Sequence, residues 1–204
     1  MPYVEASVRS RQFVAAARRA MARGGVAGAS LRAVAAEAGV PLGTLQYVFP
    51  SKELLLKAVI EDVVEEAADL LAEAVETDRG LAHAIRQGFE AFWSRLVVDR
   101  IDTQIMQSEL LNYMLRTPGH ADLARWQYRR YTDIVAQGCR EAAAAAGEVC
   151  AVPYDRLARL VLSSIDGLTL QYACDPDEAR SREDLETAVE MVLAVARIRP
   201  AGAE

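Results

Sequence analysis

The side chains between Leu31 and Val48 offer hydrogen-bonding chemistry rather than bond-making chemistry. Leu42, Gly43, Thr44, Gln46 and Tyr47 fall on one side of a short helical stretch, with Leu45 and Val48 on the other. Short or hydrogen-bonding groups on one helix face suit the major groove of duplex DNA, where base edges present donors and acceptors. Residues for covalent chemistry are not patterned. The chain has no HExxH, GxSxG, P-loop or GxGxxG, and no Glu-x-x-His pair of the di-iron bundles. His83 and His120 are isolated, with Gly80 and Thr117 three residues before them. Cys139, Cys150 and Cys174 are odd in number and lack the paired spacing of zinc sites. They read as buried or free thiols in a reducing, cytoplasmic compartment. The expectation is a protein that is not an enzyme, with no metal and no cofactor.

Two helices and a turn must hold the hydrogen-bonding face. Leu31, Val34, Ala35 and Ala38 recur at i, i+3, i+4 and i+7, which is one helix face. Ala35 is small where a second helix must come close. Gly39 follows the last periodic residue, where a left-handed cap is needed to turn the chain sharply. Val40 fills the turn, and Leu45 and Val48 give the second helix an inward face. Any tight helical hairpin shows the same apolar spacing, so spacing alone leaves both readings open.

Charge favours the nucleic-acid reading despite a whole-chain value of −6. Residues 1–52 hold seven Lys or Arg and two acids, a net +5, which leaves −11 for the rest of the 204 residues. A basic first quarter on an acidic remainder is expected when one end meets phosphate. No apolar run is long enough to span a membrane, and the first 20 residues lack a signal-peptide pattern. No membrane partner is expected.

Nearly all of the chain reads as helix, because apolar residues recur at three and four and alanine is abundant. Gly and Pro breakers delimit helices at 8–23, 31–38, 42–48, 51–77, 81–98, 101–115, 120–146, 154–174 and 181–198. Ser51 caps one start and Ser181 with Asp184 another, and the tail after Pro200 is expected to fray. No strand is expected. The fold class is all-α: a three-helix head over 1–50 and a helical-bundle domain over 51–204, about nine helices in total.

Residues 9–57 resemble the N-terminal domain of TetR-family regulators. The resemblance is carried by Phe13-Val14-Ala15-Ala16-Ala17, Ala29-Ser30-Leu31-Arg32-Ala33-Val34-Ala35, Ala38-Gly39-Val40, Gly43-Thr44-Leu45 and Phe49-Pro50-Ser51-Lys52-Glu53-Leu54-Leu55. It implies a regulator that binds double-stranded operator DNA, by default a repressor, and responds to a small-molecule effector. By that resemblance Ser30 and Arg32 face the DNA backbone, and Gly43 and Thr44 lie against bases or sugar-phosphate. Tyr47 flanks a phosphate, and Lys52 places charge at a helix start that favours phosphate. Three positions depart from the family. Pro41 stands where a capping hydroxyl is usual, Gln46 where a tyrosine is usual, and Val48 where a histidine or tyrosine is usual. Gln46 reads either as an adenine contact or as a solvated side chain.

The rest of the chain varies in this family. Aromatics concentrate between Phe89 and Tyr131, which fits a bundle core or a small-molecule pocket, and the resemblance favours the pocket. Its candidates are Phe89, Trp93, Met106, Glu109, Tyr113 and Trp126. Gln107, Glu109 and Asn112 either orient a ligand or face solvent, and the effector is expected to be apolar or amphipathic. Helix 154–174 has two apolar stripes, one of Leu157, Leu160, Val161, Ser164 and Leu168, the other of Leu162, Ile165 and Thr169. Two apolar sides need two partners. With Val189 and Val192 of the last helix, Leu157, Val161, Ser164 and Leu168 are expected to form a homodimer interface, a four-helix bundle about a twofold axis. Ile165-Asp166-Gly167-Leu168 resembles the penultimate helix of the choline-regulator-like branch. The alternative reading is a helical small-molecule-binding protein that has lost DNA binding.

Overall fold

The computed structural model describes residues 2–202, with side chains from Val8 onward. Among the described residues there are nine α-helices: α1 (Pro2–Gly28), α2 (Leu31–Glu37), α3 (Leu42–Val48), α4 (Lys52–Ala74), α5 (Leu81–Phe92), α6 (Ile101–Arg116), α7 (Ala121–Ala145), α8 (Tyr154–Cys174) and α9 (Glu178–Ala196). The expected all-α class holds. A 3₁₀ turn over Thr77–Arg79 precedes α5.

The chain divides into two compact units. The first comprises residues up to Glu66 together with Asp102–Gln127. Here α1, α2 and α3 pack on one another around Phe13, Met21, Val34 and Leu45, all nearly or wholly buried. Ser51 opens α4 as expected, its hydroxyl accepting from the Leu54 N–H. Leu55, Leu56, Val59 and Ile60 of α4 are fully buried. Arg18 on α1 donates to Asp62 at 2.6 Å and to Glu66 at 2.8 Å, which fastens α1 to α4.

The second unit comprises Ala67–Ile101 and Tyr128–Glu204. Its core includes Leu81, Ile85, Phe89 and Trp93 with Leu157, Ile165, Tyr172, Leu185, Val189 and Val192. These positions recur at three and four along α5, α8 and α9, so each helix turns one stripe inward.

Four local features differ from the sequence reading. The predicted helix 81–98 is α-helical only to Phe92, and Trp93–Val98 forms a π-helical turn. Such turns are uncommon and concentrate at functional sites. The last helix opens at Asp177, whose carboxylate accepts from the Arg180 N–H at 3.0 Å, rather than at Ser181. Ser181 is buried and donates to the Asp177 carbonyl. Two short strands form, β1 (Glu148–Val149) and β2 (Arg199–Pro200), paired antiparallel. Strands of two residues are too short to leave an alternating pattern in the sequence. They also hold the predicted loose tail, as Ala201 N–H donates to the Gly147 carbonyl at 2.7 Å. Beside this ribbon the Glu148 carboxylate accepts from the Leu81 N–H at 2.8 Å, a negative charge at the positive end of α5.

Candidate nucleic-acid interface and effector residues

The α2–turn–α3 element is built by a sequence of caps. Ser30 is extended, and its hydroxyl oxygen accepts from the Ala33 N–H at 3.2 Å, closing the first turn of α2. At the other end Ala38 N–H donates to Val34 and Val40 N–H to Ala35, at 2.9 and 3.0 Å. Gly39 between them has φ +68°, which a side chain would strain. Pro41 then opens α3 with no side-chain cap, and only its carbonyl takes part, accepting from Thr44 N–H at 2.9 Å. A proline here sacrifices no helical N–H bond. Leu45 is fully buried, which fixes α3 rotationally.

That rotation leaves Gly43, Gln46 and Tyr47 exposed, with Tyr47 at 88 % of its accessible surface, while Leu42 and Thr44 are half-buried. A tyrosine so fully exposed gains nothing from the chain's own core. At Gly43 an added Cβ would meet nothing within 4 Å. Internal packing therefore does not demand glycine, although glycine weakens a helix. Ser30 and Arg32 are exposed on α2.

The basic excess of the first quarter is largely committed to internal pairs. Besides the Arg18 pairs with Asp62 and Glu66, Arg19 donates to Glu37 at 2.8 Å and Arg23 also pairs with Glu37. Glu37 was legible only as an acid in a basic region, and its role as a double partner was not. Lys52 is committed as well. Its ammonium donates to the Val26 carbonyl at 2.9 Å and the Ala27 carbonyl at 3.3 Å, and stands 4.9 Å over the Tyr113 ring. It caps the end of α1, where helix carbonyls attract a cation.

The effector candidates are divided between the two units. Phe89 and Trp93 lie in the buried core of the second. Met106 is buried in the first, and Trp126 is half-buried there. Glu109 and Tyr113 meet at the end of α1. Glu109 is exposed and accepts from the Val26 N–H at 2.9 Å, and Tyr113 lies under Lys52 and edge-on to His120 at 6.2 Å. Gln107 is half-buried, and Asn112 is exposed and donates to Ser108 within α6. The buried amides are instead Gln104 and Gln127.

The proposed dimer stripe is corrected in part. Leu157, Val189 and Val192 lie inside the chain's own core, so their side chains have no surface left for a partner. Val161, Ser164 and Leu168 are half-buried. The outward apolar side chains are Leu170 on α8 and Met191 and Val195 on α9. Helical periodicity gave both faces of α8 but not which one the core takes.

Of the cysteines, Cys139 is buried, Cys150 intermediate and Cys174 exposed, all as free thiols. Burial pushes the Cys139 thiol up to about 12, which leaves it unreactive near neutral pH. No helix among the described residues is long and apolar enough to cross a membrane.

A capped helix-turn-helix carrying an exposed second helix, with a separate helical unit in the same chain, defines the class of DNA-binding transcription regulators with a sensing part. Comparison with known proteins specifies it. Residues 13–59 match the model of the bacterial regulatory proteins of the tetR family, and residues 81–194 match that of the BetI-type transcriptional repressor C-terminal part. The chain belongs to the TetR family of transcriptional regulators, with a BetI-type C-terminal part, and is a ligand-responsive DNA-binding repressor of that family. It is 29% identical over 188 residues, covering 91% of this chain and 94% of the relative, to the HTH-type nicotine-responsive transcriptional repressor HdnoR of Paenarthrobacter nicotinovorans. Among solved structures, a transcriptional regulator from Rhodococcus sp. Rha1 superposes with a TM-score of 0.74 at 22% identity, over 94% of this chain and 99% of that one. The multidrug binding protein EbrR complexed with imidazole superposes with a TM-score of 0.67 at 26% identity, over 92% of this chain and 94% of that one.

Proposed function

We propose that the protein works as a homodimer whose two α3 helices enter successive major grooves of an operator, and that a small molecule bound by the second domain releases it. The domain division proposed is residues 1–50 for DNA and 51–204 for effector and dimer. The single observation that carries the DNA reading is the exposed face of α3. Tyr47 and Gln46 project from a helix locked by Leu45, and Gly43 leaves open space where a nucleic-acid backbone needs close approach. Ser30 and Arg32 complete the contact from α2. The Ser30 oxygen accepts a bond from its own helix, which leaves its hydroxyl proton for a phosphate. Lys52 holds the end of α1 with two of its three ammonium N–H groups, and the third is left for a phosphate.

The pairing surface proposed is the outward side of α8 and α9, with Leu170, Met191 and Val195 packed against their copies. Operator half-sites for such a dimer lie about 34–36 Å apart. The effector is an apolar or amphipathic small molecule, in keeping with HdnoR, a nicotine-responsive repressor. It acts by binding the conformation whose heads no longer match that spacing, with a coupling of about 1–3 kcal/mol. Trp93, Phe89 and Trp126 are the proposed reporters of its arrival.

The test is titration of the purified protein into a fluorescent duplex from the region upstream of its own gene, followed by anisotropy. Saturable binding that outcompetes random duplex supports the reading. Equal affinity for operator and random duplex overturns it and returns the alternative, a ligand-binding bundle without DNA recognition.

A further inference from the structure

A hydroxyl in the core of the second unit has no partner. Thr169 on α8 is buried, and its Oγ1 is closed to solvent with no hydrogen bond. Helical hydroxyls normally settle this by donating to the carbonyl one turn back. In the same unit Ser94, Thr132, Ser163, Ser164, Ser181 and Thr187 all do so, at 2.6–2.9 Å. Ser163 and Ser164 do so on α8 itself. Thr169 does not, although the same helical carbonyl ladder passes beside it.

On α8, Thr169 stands between an apolar and an aromatic residue of the buried core. It shares a helix face with Ile165, one turn before it, and Tyr172, one turn after it, and both belong to the buried core. The Tyr172 ring meets Trp93 edge-on at 5.6 Å. Trp93 is the first residue of the π-helical turn, a backbone departure that re-aims side chains and marks functional positions. No Asp, Glu, Lys, Arg or His is buried among the described residues, and the buried polar side chains of this unit are Thr169 and Ser181. Ser181 is already bonded.

We infer that Thr169, Trp93 and Tyr172 form the recognition point for an uncharged aromatic ring carrying one hydrogen-bonding atom. The inference rests on the effector reading above and gives its chemistry. The rings supply edge and face contacts, and the hydroxyl supplies the one directional bond. A cation is disfavoured because the carboxylate one turn away on α8, Asp166, is exposed and already accepts from the Tyr128 hydroxyl, and an unpaired buried charge is costly.

The test uses three bicyclic probes of similar size and the full chain: quinoline, with a ring acceptor; naphthalene, with none; and N-methylquinolinium, a fixed cation. Binding is followed by calorimetry at mildly alkaline pH, where quinoline is uncharged. Quinoline is expected to bind roughly tenfold more tightly than naphthalene, and N-methylquinolinium to give no measurable heat. Thr169→Val is expected to fold with an unchanged or higher Tm, because it removes an unpaired buried group. It binds both neutral rings equally, whereas Thr169→Ser keeps the preference. Persistence of the preference in Thr169→Val, tighter binding of the cation, or silence of both neutral rings overturns the site. If quinoline is silent while operator DNA is bound and released by another compound, this site falls and the repressor reading stands. If the ring preferences appear as expected but no DNA is bound, the site stands and that reading falls.

Discussion

The Glu109 carboxylate on α6 accepts the Val26 N–H at the end of α1 at 2.9 Å. This bond closes over Gly25, which has φ +73° and where a Cβ would lie 2.8 Å from the same carboxylate oxygen. The two conditions are coupled: the carboxylate can approach because no side chain stands at position 25. Lys52 binds the carbonyls of Val26 and Ala27 from the other side. The link from α1 to the helix-turn-helix is thus gripped through its N–H and its carbonyls.

Glu109→Ala is expected to lower stability by about 1–2 kcal/mol, since it removes a charge-assisted bond to a buried amide. For a chain of this length that is a Tm fall of roughly 2–8 °C. Gly25→Ala should cost more, through backbone strain and the collision together. The double variant should cost less than the sum of the two, because the collision partner is gone. Thermal denaturation of the three variants checks this, and full additivity would separate the two features.

Tyr47→Ala should weaken operator binding by about tenfold or more while shifting Tm by less than about 2 °C, because an exposed side chain holds no core. Anisotropy and thermal melting of one preparation decide the matter. Unchanged affinity at physiological salt would move the reading face off α3.

Met191→Lys and Leu157→Ala should fail in opposite ways. Lysine at the exposed position 191 leaves the protomer folded but opposes pairing, so sedimentation should report a monomer. Alanine at the fully buried position 157 opens a cavity costing about 2–5 kcal/mol, so melting should move first. A dimer that survives Met191→Lys would place the pairing surface elsewhere.

Asp166 carries a pH signature. Local desolvation by the groups around it raises the carboxyl of this surface residue above the ordinary range, and the hydrogen bond from the Tyr128 hydroxyl, 2.8 Å away, only partly offsets this. An acid raised on folding binds its proton more readily in the native state. Its destabilisation is therefore complete above the folded pKa and is relieved as pH falls toward the unfolded value. Asp166→Asn should match or exceed the natural chain in Tm at neutral pH, and that advantage should shrink on acidification. A pH series of melts reads this directly. An advantage that grows on acidification would give the opposite sign.

The sequence carried most of the helical plan because that plan is local. The Leu31, Val34, Ala35, Ala38 stripe, the Gly39 turn and the Ser51 cap each involve residues within a turn or two of one another. What it did not carry is set by packing between distant segments. Glu109 looked like a ligand group, and its bond to Val26 spans 83 residues. Lys52 matched a phosphate lysine, and nothing local tells that α1 ends beneath its ammonium. The two stripes of α8 were both visible, but the choice between them belongs to Trp93 and the other residues packed on Tyr172. Thr169 stood in the inward stripe as an apolar equivalent, and only the fold reveals that its hydroxyl is unused.

The ion pairs of Arg18, Arg19 and Arg23 reduce the electrostatic reach of the head. Among the described residues of the first quarter, Arg9, Arg11 and Arg32 are the exposed cations without an ion pair. Each phosphate neutralised by such a group releases condensed counterions, and that release drives sequence-independent attachment to DNA. Few uncommitted cations mean a shallow dependence on salt and a weak hold on random sequence. Discrimination then comes from low background affinity as much as from strong operator contacts. Most copies of such a regulator stay available for the operator instead of being held along the rest of the chromosome.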